Sequence, residues 1–424
     1  MPARKAHRAT AAQREVAVAA TKHTLIVRSR HRRSVQGLSW FMAGVGVLGG
    51  RQLQAQSSVE LRTLFYSESD GRTTVLSPTL LLHQDLGVSW GQLDLLLTHD
   101  TISGASPTGG YPTLSVTTTT GASGSSTTAA GKVPMVPYSD ERKAEGISWS
   151  RRFGAHLPTI DLSHSAEKDY LSKEYGISDA WTMFEGRGTL HYGLSYADDT
   201  VSPVTRPVHL AKKTHGLALG WTWVMGENDL VDVSVSRMKL EGYLDEPYLI
   251  VPVGITTLSE HRPGTRQRDA WLLKQAHRFE WDGALKTSYR YYSDDWGLKA
   301  HTLDFTYDQR LDDGWIVSPR LRYYTQNDAS FYAPKFATAQ PFMSSDYRLS
   351  AMQSLLAGLT ISTEIAEGWT ASVGATYQFQ QGKKSITPLA TAGTSNSPAV
   401  YSGPGTSAAD VNTTTLTVGL KWTY

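Results

Sequence analysis

Cysteine is absent from the 424-residue chain. Its absence excludes disulfides, thiolate metal sites, haem attachment through Cys and thiol catalysis. It also lets an exported chain cross an oxidising compartment without mispairing. No run of about 20 apolar residues occurs, which excludes a helical membrane span. Charge of one sign is lacking too. The formal net charge is +2, so composition gives no case for nucleic-acid binding. No phosphate-binding glycine loop, HExxH or paired-cysteine metal motif is present. None of these absences excludes a membrane β-barrel, whose strands alternate apolar and polar side chains and so keep mean hydropathy low. Aromatic residues, by contrast, are plentiful, with 20 Tyr and 12 Trp.

The N-terminal segment has the parts of an export signal. Residues 1–36 are basic and nearly free of acids, ending in Arg28, Arg30, His31, Arg32 and Arg33. The short apolar run GLSWFMAGVGVLGG follows from Gly37, then RQLQAQ. A charged n-region, a brief h-region and a small residue before the cut make a secretory signal. The reading is therefore a signal peptide over 1–55 with an extended basic n-region, cut after Ala55, and a single barrel domain over 56–424. Leu53 departs from the small residue usual two positions before Ala55.

From Ser57 onward the period is two rather than 3.6, which is the half-buried strand signal. Leu416, Val418, Leu420, Trp422 and Tyr424 fall on one face, opposite Thr415, Thr417, Gly419, Lys421 and Thr423. An apolar face ending in a C-terminal aromatic resembles the signal read by the outer-membrane barrel assembly machinery, which makes that machinery and outer-membrane lipid expected partners. Leu217, Leu219, Trp221 and Trp223 alternate in the same way, as do Val231, Val233 and Val235, and Ala371, Val373, Ala375, Tyr377 and Phe379. Short turns (for example Gly226–Asp229 and Glu367–Gly368) alternate with long connections at 101–138, 199–211, 243–265, 327–345 and 382–409. Outer-membrane barrels keep short periplasmic turns and longer extracellular loops. The fold expected is an all-β transmembrane antiparallel barrel of about 16 strands, with 14 and 18 as alternatives and the hairpin near 170–185 least defined. The place expected is the outer membrane of a Gram-negative bacterium. Pro78 and Pro319 fall inside strands and predict a bulge or bend, because each removes a ladder donor. The Thr-, Ser- and Gly-rich stretches within 101–138 and 382–409 are expected to be mobile loops.

Six segments resemble the bacterial outer-membrane barrel family known as domain of unknown function 3570. They are DTISGASP at 100–107, SAEKDY at 165–170, GYLDEPY at 242–248, HRPGTRQ at 261–267, RYYSDDWGLKAHTL at 290–303 and RLRYYTQNDASFY at 320–332. The resemblance implies the barrel and its location and supplies no activity. Asp245 and Glu246 stand where the family more usually has Ser and Asp. Family members are encoded near secreted redox and flavin-attachment proteins, so a periplasmic or surface redox partner is an expectation of the resemblance alone.

Chemistry is sparser. The lumen face is expected to carry Arg62, Asp94, Asp232, Lys286, Arg290, Asp304, Asp308, Arg310, Arg320 and Arg322. A lining of both signs suits a water-filled pore or an ion-paired plug, without clean selectivity for anions or cations. At the extracellular end, Glu167, Asp169, Asp245, Glu246, Asp294 and Asp295 are candidate ligands for a hard cation such as Ca²⁺, which takes six to eight oxygens. No one segment has an ion-loop spacing, and Asp and Gly gather at turns for conformational reasons alone. Otherwise no cofactor is expected. His164, His191 and Ser195 are the residues from which a catalytic triad would be drawn. They lie on different strands with no supporting motif, so no enzyme is expected. The leading expectation of function is a porin-like channel for small solutes or a sheath for a partner. The alternatives are a structural or adhesive surface barrel with a plugged lumen, and an outer-membrane component of an electron-transfer assembly.

Overall fold

Period-2 alternation is realised as one closed antiparallel barrel of sixteen strands, each bonded to the next and the last to the first. The computed structural model describes residues 57–107, 131–383 and 407–424, with Gly109 and two short strands between them. The export-signal segment and most of the 382–409 connection lie outside the described residues. Strand β1 (Ser58–Glu68) pairs with β2 (Thr74–Asp85) on one side and β20 (Val411–Thr423) on the other. Closure leaves no row of unpaired backbone groups, the condition a sheet must meet inside a lipid bilayer.

The two faces of each strand separate cleanly. On β10 (Leu210–Val224), Leu217 and Leu219 point outward and are 53% and 47% exposed, while Thr214 and Thr222 are buried on the other face. The same holds on β20, where Leu416, Val418, Leu420 and Trp422 face out. In a soluble sandwich these apolar rows would be buried. Their exposure fits a lipid-facing band. Aromatic pairs mark its lower rim. Trp369 and Trp422 stack at 5.8 Å, and Phe279 and Trp281 at 4.5 Å. Near the upper rim His215 meets Tyr196 at 5.2 Å, and His301 meets Tyr291 at 5.2 Å.

Connections alternate as the sequence predicts. At one end Glu367–Gly368 joins β18 (Met352–Ala366) to β19 (Trp369–Gly382). Gly368 has φ +73, and a Cβ there would lie 2.5 Å from the Thr423 carbonyl oxygen. The hairpin near 170–185 is regular: β8 (Tyr170–Met183) pairs in register with β9 (Gly188–Val201) and, on its other side, with β7 (His156–Ala166).

Three expectations need correction. β3 (Gln92–Pro107) and β6 (Met135–Ser150) run in register well into the stretch 101–138, which shortens that connection. Inside it, β4 (Thr117–Gly121) pairs with β5 (Gly124–Thr128), because threonine suits extended backbone despite its polarity. Neither proline produces a bulge. The β2–β3 ladder lapses at Ser77 and Pro78 but resumes in the same register at Thr79↔Thr98. The ladder between β16 (Lys299–Arg310) and β17 (Ile316–Gln326) likewise lapses beside Pro319 and resumes at Gln309↔Val317. Losing one donor interrupts a ladder without adding a residue, and only an added residue makes a bulge. The register shift that does occur lies between Glu364 and Ala366, next to the tightest turn.

Candidate lumen and extracellular mouth

The alternation that sends leucines to lipid sends the charged candidates inward. β16 places Asp304 between two arginines of β17. Arg320 donates to it at 2.5 and 3.1 Å, and Arg322 at 2.7 Å. β15 (Gly283–Asp294) contributes Lys286, which pairs with Asp308, and Arg290, whose guanidinium lies 5.4 Å from the centre of the Tyr292 ring. On β11 (Asp229–Gly242), Asp232 accepts from Thr222 at 2.7 Å and meets His191 at 2.8 Å. Arg62 pairs with Glu60, and Asp94 with His83 at 2.7 Å. Arg310 shares the inward face but ends its strand and is exposed. Inward and outward charges differ in surroundings. The side chain of Asp304 is 12% exposed, whereas that of lipid-side Arg237 is 59% exposed.

The mouth is built from two long connections. That between β11 and β14 (Thr265–Arg278) contains a hairpin, β12 (Ile250–Val253) and β13 (Thr256–Ser259). The hairpin docks on residues 327–351, which join β17 to β18. His261 and Met343 exchange backbone hydrogen bonds at 3.0 and 2.8 Å, and Phe336 N–H donates to the Pro252 carbonyl at 2.9 Å. Val251, Val253 and Met343 form one apolar cluster, and Trp296, Leu298, Ala329, Phe331 and Leu349 form another. Between the clusters lies a desolvated ion network. Arg262 donates to Glu260 at 2.8 Å and to Asp346 at 2.9 Å, and Arg348 holds Asp346 at 2.5 Å and approaches Glu246 at 3.7 Å. Ser344 donates to Glu260 as well. Ser344, Ser345 and Asp346 are all buried, an unusual condition for consecutive polar residues of a loop.

This segment also reaches the far wall. The Arg72 guanidinium, in the turn after β1, sits 5.5 Å from the centre of the Tyr347 ring and donates to the Ala408 carbonyl at 2.7 Å. The turn after β1 and the connection after β11 are eight strands apart in the ring of sixteen, on opposite sides. Asp346 and Tyr347 are therefore neighbours in sequence held from opposite walls, and the segment that carries them narrows the mouth.

Burial and charge set the protonation of these loop groups. Burial alone would raise the Asp346 carboxyl, but the charges and hydrogen bonds of Arg348 and Arg262 outweigh it and hold the group well below the usual range. Glu260 moves the other way. Burial pushes it up, Arg262 opposes this, and the neighbouring Asp346 charge adds to the rise.

The six carboxylates considered for a cation are distributed rather than gathered. Asp245 accepts from Arg262 N–H at 2.6 Å, and Asp295 from Gln267 N–H at 3.0 Å. Asp294 takes Arg266 at 2.5 Å and Tyr292 at 2.7 Å. Glu246 belongs to the ion network. Glu167 and Asp169 do come together, with Asp140 as a third carboxylate that sequence reading missed, their oxygens within 4.8 Å of one another. Asp169 also accepts from the Tyr248 hydroxyl at 2.5 Å. These three are the residues best placed to hold a cation. The would-be triad is not assembled. His164 meets Glu145 at 3.2 Å, where both side chains are well exposed, and His191 pairs with Asp232. Glu260, Asp346 and Arg348 carried no signal in the sequence, because the contacts that join their two local pairs into a network run between different loops.

Several solved bacterial structures align with most of the chain at low identity. The chain aligns with a bacterial polysaccharide outer membrane secretin at 7% identity and TM-score 0.46, over 88% of this chain and 100% of that one. It aligns with OmpT, an outer membrane protein of Vibrio cholerae, at 8% identity and TM-score 0.41, over 88% and 99%. With OccK5 (OpdH) of Pseudomonas aeruginosa the values are 7% and 0.39, over 87% and 98%. No curated protein matches the sequence. The profile of one sequence family matches residues 47–212 and 208–414, which together span most of the chain. With its closed barrel of sixteen antiparallel strands, this chain belongs to the family described as protein of unknown function (DUF3570).

Proposed function

We propose that the protein is a porin-like channel of the Gram-negative outer membrane, carrying small solutes through a water-filled lumen whose extracellular mouth is narrowed by residues 327–351. One observation carries this reading. Asp94 faces inward two residues from the periplasmic end of β3, and its side chain is 50% exposed. Arg322, also facing inward, keeps 32%. A dry, filled barrel would have to pair and enclose such groups, because burying a charge without full compensation is costly. Open space beside them is space for water. The polar serines and threonines on the inner faces of β18–β20 fit the same interior.

The ion network of the mouth favours a second reading, a surface barrel closed by its own loops. Single-channel recording separates the two. The refolded chain from Gln56 to Tyr424 in a planar bilayer is expected to give small, stable conductance steps. Arg262→Ala combined with Arg348→Ala is expected to enlarge them. A folded, heat-modifiable barrel that conducts in neither form would overturn the channel and leave the closed surface barrel.

A further inference from the structure

The charges in the lumen are not mixed evenly around the ring. On β15 and β17, Arg290, Arg320 and Arg322 lie close enough for their charges to interact. Asp304 on the intervening strand is the carboxylate that serves this group, and it is bonded by Arg320 and Arg322. Among the described residues no carboxylate lies within ion-pair distance of Arg290, whose neighbour is the Tyr292 ring. This wall carries excess positive charge.

The facing wall carries the opposite excess. β3 stands eight strands from β15, and β7 eight strands from β17, so each pair is diametrically placed in the ring. β3 supplies Asp94, met by His83 at 2.7 Å. β7 supplies Asp161, bonded to the Ser148 hydroxyl and within electrostatic reach of Asp94. No Lys or Arg lies within ion-pair distance of either carboxylate among the described residues. On one arc between the walls, Thr360, Thr376 and Thr417 give an uncharged lining, followed on β1 by the mutually paired Arg62 and Glu60.

From this arrangement we propose that the lumen selects small dipolar solutes, molecules bearing an ammonium and a carboxylate such as free amino acids, which align across it between the Arg290–Arg320–Arg322 wall and the Asp94–Asp161 wall. This selectivity presupposes the open channel proposed above. A transverse field between low-dielectric walls is focused in the enclosed water. A dipolar ion gains at both ends when aligned. A simple anion gains at one wall and is repelled by the other, and an uncharged polyol of the same size gains at neither. The arginines match a carboxylate in geometry as well as charge, since their planar donors can grip it with two bonds.

The test is swelling of liposomes that contain the refolded chain, with threonine and erythritol as probes of similar size. Threonine is expected to enter several-fold faster than erythritol. Arg290→Gln and Asp161→Asn are each expected to bring the two rates together by slowing threonine. Arg322→Gln serves if either variant refolds poorly, with heat-modifiable migration as the check on folding. Arg237→Gln, on the lipid side, is expected to leave the ratio as it is. Equal rates in the unmodified protein, or a ratio unmoved by all three lumen variants, would overturn the dipolar selectivity and leave the channel standing. No swelling with either probe would instead remove the channel itself, and the selectivity with it.

Discussion

Arg262 and Asp346, 84 positions apart in sequence, meet at 2.9 Å with both side chains nearly sealed from solvent. Their contact ties the hairpin-bearing connection after β11 to the segment that crosses the mouth. A buried pair of this kind contributes little over a well-packed apolar pair, but removing one member leaves the other charged and stranded, at a cost of about 3–5 kcal/mol. Asp346→Ala is therefore expected to release residues 327–351 while the barrel stays intact. Limited proteolysis of refolded protein checks this: cleavage within 327–351 should quicken sharply, with the barrel fragments still heat-modifiable.

The two shifted carboxyls of the mouth give a pH dependence with two signs. Asp346 is depressed, so its contribution is present above the ordinary Asp value of about 3.9 and lost as pH falls toward the depressed one. Glu260 is raised, so its contribution is complete below the ordinary Glu value of about 4.3 and lost as pH rises through its raised value. The docked loop should be firmest in mild acid, where Asp346 is ionised and Glu260 protonated. Protease resistance of residues 327–351, measured across a pH series, should peak there. Asp346→Asn should remove the decline on the acid side.

Leu359 lies mid-strand on β18 with its side chain outward, and Thr360 is its inward neighbour. A charge on the lipid face near mid-membrane costs about 2–4 kcal/mol. Leu359→Arg should lower the unfolding free energy, extrapolated from urea titration, by an amount in that range. Thr360→Lys, one residue along, should cost much less, because its ammonium reaches lumen water. Equal losses from both would mean that the two faces are not the lipid and lumen faces assigned to them.

Gly368 permits the two-residue turn between β18 and β19, and its carbonyl accepts from Thr423 N–H at 2.8 Å. A residue with a Cβ at its positive φ costs about 1–2 kcal/mol, and here the Cβ would also press on the Thr423 carbonyl. Gly368→Ala should lower refolding yield and the unfolding midpoint. Glu367→Ala, beside it, should do neither to a comparable degree.

The sequence showed the parts of this molecule that repeat. Alternation in Leu416 to Tyr424 or Leu217 to Trp223 reports a strand and its two faces, because each residue's orientation follows from its neighbour's. The count of sixteen strands and the inward placement of Asp304 or Arg320 follow from that rule. The mouth does not repeat. Asp346 sits in an ordinary-looking SSDYR stretch, and its meaning comes from Arg262 and Tyr347, whose contacts are set by how three loops fold over the barrel. Asp294 and Asp295 of SDDWG are candidate cation ligands in the sequence only together with acids of other segments. In the fold, Asp294 turns to Arg266, and Asp295 turns to the Gln267 amide. Local spacing could not distinguish a ligand from a bond to a neighbouring strand.

The seam between β1 and β20 sets a condition on timing. Every other ladder in the barrel joins successive barrel strands, with only a small hairpin intervening between β3 and β6 and between β11 and β14, and each can form as soon as its second strand arrives. The seam pairs Ser58 with Thr423, and Tyr424 N–H donates to the Ser57 carbonyl at 2.9 Å. It joins the first described strand to the last, so closure bears the largest loop entropy in the molecule. Until then β1 presents a full row of unmet donors and acceptors, which lipid cannot satisfy. The partly formed sheet therefore cannot wait in the membrane alone. The edge of β1 has to be met by β20 as the sheet enters lipid, which makes formation of this one ladder, rather than of any hairpin, the step at which the barrel becomes a separate molecule.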